Sequence, residues 1–466
     1  MSNRPKYLLA GLTVGAALVA AVPASAEPGL GCRPTEGNRP VCPAGAPPEL
    51  ANFLDSTVTV EEAENVFLGG RVYVGPFAKL IAGDDAPIHI DDEANVQDSV
   101  RILAEGDGDG GRGDGDEDED GGRGDDDDRD YPLANGLDEE EGVEIGDRVI
   151  LAHGATVKGP AKIGIGGGDI DPDPDDDQEV FVSFGTEVDG AVLQRNTGIS
   201  ALGRVGPGVT LKSGFIVLPG KNVTTQAQAD NPALGKVRLI TAADVAFSEA
   251  VIEVNVALAR EYSRLAYESR SNVRGINFDP GNTFFNPDRD LPNTNAEVPP
   301  PGTEFEECDG GQETRRPGFR NRIIGEVCLE DSVERLDSVM GSEVSLRADE
   351  GEPLSFGHID WMGSGFISHA LEETTVEVGE RVRYGRGAIV HGGGRRQDGG
   401  GRGSESTFIE DNVTLRPLSV TFRSFVGRGS HIGYKSAVVS SELPPGTRIP
   451  DRVIYLNNVI FGRVEW

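Results

Sequence analysis

Two histidines, His369 and His391, stand 22 residues apart in the stretch FISHALEETTVEVGERVRYGRGAIVHGG, residues 366–393. Imidazole is the commonest side-chain ligand for zinc and related ions. A catalytic zinc takes three protein ligands and leaves a further position for water. Two histidines on short aliphatic and glycine-containing phrases raise that chemistry and lack its third ligand. The nearest other histidine, His358 in SFGHIDW, has no evident partner in sequence.

The elements that must position these side chains follow a period of six. Ile145, Leu151, Val157 and Ile163 keep it, as do Ile90, Val96 and Ile102, and Val205, Leu211 and Val217. The second half repeats it in Val378, Tyr384 and Val390, in Ile409 and Leu415, and in Val426, Ile432 and Val438. An amphipathic helix recurs near 3.6 residues and a lone strand at 2. A period of six is the hexapeptide signature of a parallel β-helix. Each unit is a short strand and a turn, and three units close one coil of about eighteen residues. His369 and His391 are then one coil plus a short excess apart, on adjacent rungs near one edge. The stretch 241–270 has no Gly or Pro and spaces Val251, Val254, Leu258 and Leu265 helically.

The fold class expected is all-β: two parallel β-helix domains, the first followed by a C-terminal α-helix. The boundaries read from the rhythm are 56–270 for the first β-helix with its helix and 320–466 for the second. Residues 271–319, rich in Pro and Asn, form a linker. An acidic insertion fills 105–142; its part 105–130 is nearly pure Asp, Glu and Gly and cannot pack a core.

The residues carried on this rhythm are more specific than the fold. GPFAKLIAGDDAPIHIDDEANVQDSVRI, IGDRVILAHGATVKGPAKIG and EAVIEVNVALAREY together resemble the gamma-class carbonic anhydrases, across nearly all of the first half. The second half resembles the same family from IIGEV through SLRADEGEPL, SHALEE and GERVRYGRGAIVHGG to LPPGTRIPDRVIYL. The chain is similar to a tandem fusion of two diverged copies. The resemblance implies left-handed β-helices in trimer-like packing, with the metal between neighbours.

Each half keeps a different part of the family's set. The first half keeps Asn95, Gln97 and Asp98, one metal histidine as His153, and the helix asparagine as Asn255. Leu103 and Lys158 stand where its other two histidines belong, and Ile81-Ala82-Gly83-Asp84 stands for the Arg-x-Asp-Glu motif. The second half keeps Arg347, Asp349 and Glu350 of that motif, His369 and His391 of the histidines, and the acidic Glu372. There Arg386 replaces the third histidine, and Trp361 and Gly363 replace the asparagine and glutamine.

The resemblance thus implies a three-histidine site from His153, His369 and His391, split between β-helices, within one chain or between chains. Its metal is zinc, with iron or cobalt as alternatives. The activity implied is reversible hydration of carbon dioxide to bicarbonate by a metal-bound hydroxide. Gln97 would orient the hydroxide, Asn95 would steady Gln97, and Asn255 would contact carbon dioxide or bicarbonate. Glu350 and Glu372 would move the proton, and Arg347 would pair with Asp349 and reach Asp98 across the interface. The alternative is a catalytically inactive structural or bicarbonate-binding relative. An acyltransferase is disfavoured because the match runs on through the helix.

Composition bounds the setting. A formal net charge of −35 makes nucleic acid an unsuitable partner and suits a protein soluble in high salt, as in a halophile. Residues 1–26 read as a secretory signal peptide, with Arg4 and Lys6 before an apolar run and Ala24-Ser25-Ala26 at the cleavage site. The mature protein is expected to be secreted or periplasmic, free of the membrane. Cys32, Cys42, Cys308 and Cys328 fit an exported chain, and their spacing suggests the local pairs Cys32–Cys42, in the segment 27–55, and Cys308–Cys328. Sequence alone leaves three connectivities open. His89, His358 and His431 read as polar rung residues.

Overall fold

The computed structural model describes residues 52–55, 57–104, 142–167, 179–268, 321–325, 327–331, 333–349, 353–371, 374–393 and 405–466. The segment expected to be a signal peptide, Cys32, Cys42 and Cys308, most of the acidic insertion and the expected linker lie outside the described residues. Cys328 is disulfide-bonded, to a cysteine outside them.

The hexapeptide rhythm becomes two left-handed parallel β-helices. Strands of two to four residues return to the same side after each coil and pair in parallel with the strand one coil away. The first half forms sheets of eight, seven and six strands, and the second forms sheets of eight, six and five. Every residue that set the sixfold period is buried inside its own prism. The reason is geometric: a triangular coil has a narrow interior, filled by one aliphatic side chain per strand.

The strands run from Phe53 to Leu239 in the first half and from Arg322 to Arg463 in the second. The expected start at 56 is late by one strand, Phe53–Leu54. Both eight-stranded sheets end in a strand that reverses direction, Val237–Leu239 and Val459–Arg463. The acidic insertion lies between Arg101–Leu103 of the seven-stranded sheet and Val143–Ile145 of the six-stranded sheet. It therefore leaves at a corner, where the ladder need not break.

The long helix spans Ala242–Glu268. Thr241 and Asp244 exchange hydrogen bonds at its start: the Asp244 carboxylate accepts from Thr241 N–H at 2.8 Å, and Thr241 Oγ1 accepts from Asp244 N–H at 3.3 Å. This is the reciprocal pattern of a capping box. Its apolar stripe, Val251, Ile252, Val254 and Leu258, is buried.

What the stripe packs against positions the site. Val251 and Ile252 join Ile150, Ala152, Phe184 and Leu202 of the first half in one cluster with Ile367, Ile389, Val420 and Ile454 of the second. The two β-helices thus dock through their eight-stranded sheets. Arg322 and Asp55 pair at 2.7 Å across one end of this contact, both buried. At the other end Trp466 donates its indole N–H to the Leu202 carbonyl at 2.7 Å.

Candidate metal centre

Arg347, His369, His391 and Phe422 stand one above another in the second half's eight-stranded sheet, each in register with the next. The facing corner of the first half stacks Asp98, His153 and Phe184 on consecutive coils. Gly154 N–H donates to the Asp98 carbonyl at 2.9 Å and Gly185 N–H to the His153 carbonyl at 3.0 Å. Gly154 has a φ of +69°, a left-handed conformation that glycine adopts without steric cost. A Cβ there would lie 3.5 Å from Ile389 of the other half, so the corner is closely seated on its partner sheet.

Docking brings His153, His369 and His391 together within one chain, all buried, with ligand atoms within 4.8 Å of one another. His153 Nε2 lies 3.2 Å from His369 Nδ1, which lies 3.1 Å from His391 Nε2. The other ring nitrogens all turn outward, toward acceptors. His153 Nδ1 faces Asp98 at 3.5 Å, His369 Nε2 faces Asp349 at 3.4 Å, and His391 Nδ1 meets the Gly392 carbonyl. Those partners are acceptors, so they place the ring protons on the outer nitrogens. With that assignment three ring nitrogens turn toward one another, the donor arrangement that a metal cation takes. A tetrahedral zinc with bonds of about 2.0–2.1 Å would hold its ligand nitrogens about 3.3–3.4 Å apart. The donor set and its spacing fit such an ion.

Burial pushes the His153 imidazole down to about 4, against the opposing pull of Asp98. His391 is also well below its ordinary value, through burial and then His369 and His153. Both are neutral at pH 7, the form that ligates metal. Burial alone would raise the Asp98 carboxyl, but Arg347 and His153 outweigh it and hold the group below its usual range. The signs agree for stability. His153 and Asp98 both bind protons more readily unfolded, so the metal-free protein should lose stability as pH falls below about 6.5. His153 alone would account for a loss of up to about 3 kcal/mol by pH 4. Urea unfolding of chelator-stripped protein at pH 7 and pH 4.5 measures this.

Arg347 ties the two carboxylates together. Its Nε lies 3.1 Å from Asp98 and its Nη1 lies 2.8 Å from Asp349, all fully buried. Its Nη1 also donates to the Tyr73 hydroxyl at 2.8 Å, and Ser345 Oγ donates to Asp98. Tyr73 and Ser345 are site neighbours that sequence reasoning missed. The available signal was register, since Tyr73 pairs with Asn95 and Ser345 precedes Arg347 on the same face. Replacing Tyr73 with Phe should cost about 1.5–3 kcal/mol, the worth of a buried hydrogen bond to a charged group, in denaturant melts. Metal content should be unchanged.

Asn95, Gln97 and Asn255 are buried as well. Asn255 donates to the Val251 carbonyl at 2.7 Å. Both polar atoms of Asn95, Gln97 Oε1 and Asn255 Oδ1 have no partner among the described residues, and no hydrogen bond joins Asn95 to Gln97. A buried polar atom without a partner costs about 1–3 kcal/mol, which marks these amides as awaiting a polar ligand. Glu350 and Glu372 lie outside the described residues. His358, without an evident partner in sequence, is satisfied by Asp331 at 2.8 Å and Arg335 at 2.7 Å. His89 stacks on Phe67, and neither it nor His431 joins the cluster.

With this geometry in hand, similarity to known proteins is decisive. A carbonic anhydrase of Methanosarcina thermophila is 31% identical over 235 residues, spanning 48% of this chain and 79% of that protein. The chain belongs to the gamma-class carbonic anhydrase family. The carboxysome assembly protein CcmM of a Nostoc species is 26% identical over 147 residues, 29% of this chain and 23% of that protein. A solved hexapeptide transferase family protein from Anaplasma phagocytophilum is 14% identical and aligns over 46% of this chain and 93% of that one. Its TM-score is 0.18, too low to carry a structural comparison. No family model matches the chain.

Within this carbonic anhydrase family member the division of the motifs has a register counterpart. Ile81, Leu103 and Lys158 form one column in the first half's seven-stranded sheet, as Arg347, His369 and His391 do in the second half. Arg386 is exposed at the second half's corner beside Ser364, the counterpart of His153 beside Asp98.

Proposed function

We propose that this protein is an exported carbonic anhydrase that interconverts carbon dioxide and bicarbonate at a zinc held by His153, His369 and His391, with iron or cobalt as alternative metals. The observation that carries the reading is the convergence of three buried imidazole nitrogens, each ring facing an acceptor on its other side. A divalent ion in such a site acidifies water to near-neutral pKa, the nucleophile that carbon dioxide hydration needs.

The chain's own residues supply the rest. Asp98, Asp349 and the Gly392 carbonyl hold the imidazole protons outward and fix each ring. Gln97, next to Asp98, offers an acceptor for a reacting water, and Asn95 and Asn255 offer amide contacts for carbon dioxide or bicarbonate. Phe184 stacks on His153 at 5.9 Å and approaches His391 at 4.9 Å between ring centres, and with Phe422 it keeps water from one side. Glu350 and Glu372 are the carboxylates proposed to carry the proton away.

The test uses protein purified without chelators. Elemental analysis should find a single metal ion per chain, and stopped-flow pH-indicator assays should show carbon dioxide hydration that a chelator abolishes and zinc restores. Metal-free protein that neither takes up zinc nor hydrates carbon dioxide would sink the proposal.

A further inference from the structure

Lysines in this acidic protein are matched with acids, with one exception. Lys79, Lys158, Lys162, Lys212, Lys221 and Lys236 each have a carboxylate oxygen within 4.0 Å. Lys435 is the one described lysine whose Nζ has neither a carboxylate partner nor a hydrogen bond among the described residues.

Lys435 is half-buried in the seam where the two halves dock. Its Nζ stands 3.2 Å from the centre of the Trp466 ring, whose indole N–H bonds Leu202 of the first half. Arg452 occupies the same corner one coil on, where its N–H donates to the Tyr434 carbonyl at 2.8 Å. Glu187 and Arg204 face the amine from the first half. Glu187 is already committed, to Arg204 at 2.7 Å and to Lys158 at 3.9 Å. Two guanidiniums and one engaged carboxylate therefore surround the amine.

These surroundings disfavour an ammonium. Burial first, then Arg452 and Arg204, oppose the positive charge against the pull of Glu187 and push the Lys435 amine down to about 8. The Trp466 face attracts a cation but supplies no counter-charge. The same surroundings suit an anion on that nitrogen. Arg452 gives Nε and Nη2 to the carbonyls of Val464 and Trp466, and Arg204 gives Nε to Glu187 and Nη2 to Asp189. Nη1 of each arginine has no partner among the described residues and can donate to a carboxylate.

We propose that Lys435 is a carbamylation site, where the amine takes up carbon dioxide and Arg452 and Arg204 hold the carbamate across the seam. The neutral amine attacks the carbon of carbon dioxide and an N–C bond forms. One C=O π bond opens to give the carboxylate, and a proton leaves the nitrogen for water: R–NH2 + CO2 gives R–NH–COO− + H+. A cation beside two guanidiniums becomes an anion beside them, so repulsion across the seam turns into attraction. That seam belongs to the docking that seats His153 against His369 and His391, so uptake couples the docking to the carbon dioxide level. The step needs dissolved carbon dioxide only and does not pass through the three histidines.

At pH 8 about half of an amine with this pKa is neutral, against less than about 1% of an ordinary lysine. The full chain is equilibrated at pH 8 with isotope-labelled carbon dioxide, its carbamates are trapped by O-alkylation with a trialkyloxonium salt, and the digest is read by mass spectrometry. Lys435 should carry at least about ten times the label of an ordinary lysine, for which Lys212, exposed and paired with Asp230 at 2.8 Å, is the internal standard. Carbon NMR of the untrapped sample should show a carbamate resonance that Lys435→Arg lacks, with metal content unchanged in that variant. Arg452→Gln should lower the label at Lys435 severalfold. Chelator-stripped protein should label as fully as metal-loaded protein, which separates this inference from the carbon dioxide hydration proposed for the histidine cluster. Label at Lys435 no higher than at Lys212, label unchanged in folded Arg452→Gln, or label that vanishes with the metal overturns the proposal.

Discussion

Replacing His153 with Ala should release the metal and lower carbon dioxide hydration by about a thousandfold or more, since the acidified nucleophile is lost. His369 and His391, 3.1 Å apart in the wild type, are left, but two imidazole ligands fall short of the three that a catalytic zinc site supplies. The effect on the fold should be small. His153 projects from a corner into the interface, while Leu151 and Val157 on either side fill the prism. Thermal melts with and without zinc separate these effects. The wild type should gain stability with zinc, as any ligand bound only by the folded state confers. The variant should melt near the metal-free wild type and gain nothing. A variant that keeps both its metal and its zinc-dependent shift would exclude His153 as a ligand.

How much of this site could be read before folding depended on which interactions are periodic. The interior aliphatics repeat every six residues because the prism repeats, so Leu151 or Val426 could be assigned from spacing alone. The pairing of His369 with His391 followed from the same periodicity, since a single coil separates them. His153 could not be reached that way. It lies 216 residues from His369, and nothing local to either residue encodes their meeting; the family resemblance linked them. Tyr73, Ser345 and Phe184 escaped because their roles exist only once two sheets face each other. The reversed strands that close each stack escaped because they break the period. The short helix Val333–Val339 was also missed, lying before the second half's rhythm becomes regular.

Replacing Arg347 with Met should destabilise the protein by about 3–5 kcal/mol, the usual cost of removing one partner from a buried ionic cluster. Arg347 is fully buried and is the cation between Asp98 and Asp349. Met keeps much of its length and packing, so the loss is electrostatic rather than a cavity. Without the guanidinium the largest opponent of burial is lost and the folded pKa of Asp98 rises. Once it rises past the unfolded value, the sign of its pH dependence reverses. A carboxyl with a raised folded pKa is most compatible with the fold when protonated, and its cost grows as pH rises through that pKa. The gap between wild type and variant should therefore be wide at pH 7 and narrower at pH 5, as urea titrations would measure. A protonated Asp98 or Asp349 is also a poorer acceptor for the outward imidazole N–H groups of His153 and His369. Zinc affinity should fall by about 10–100-fold, as for other losses behind metal-bound histidines. A purely structural role for Arg347 would lower stability equally at both pH values and leave the zinc affinity of the folded fraction unchanged.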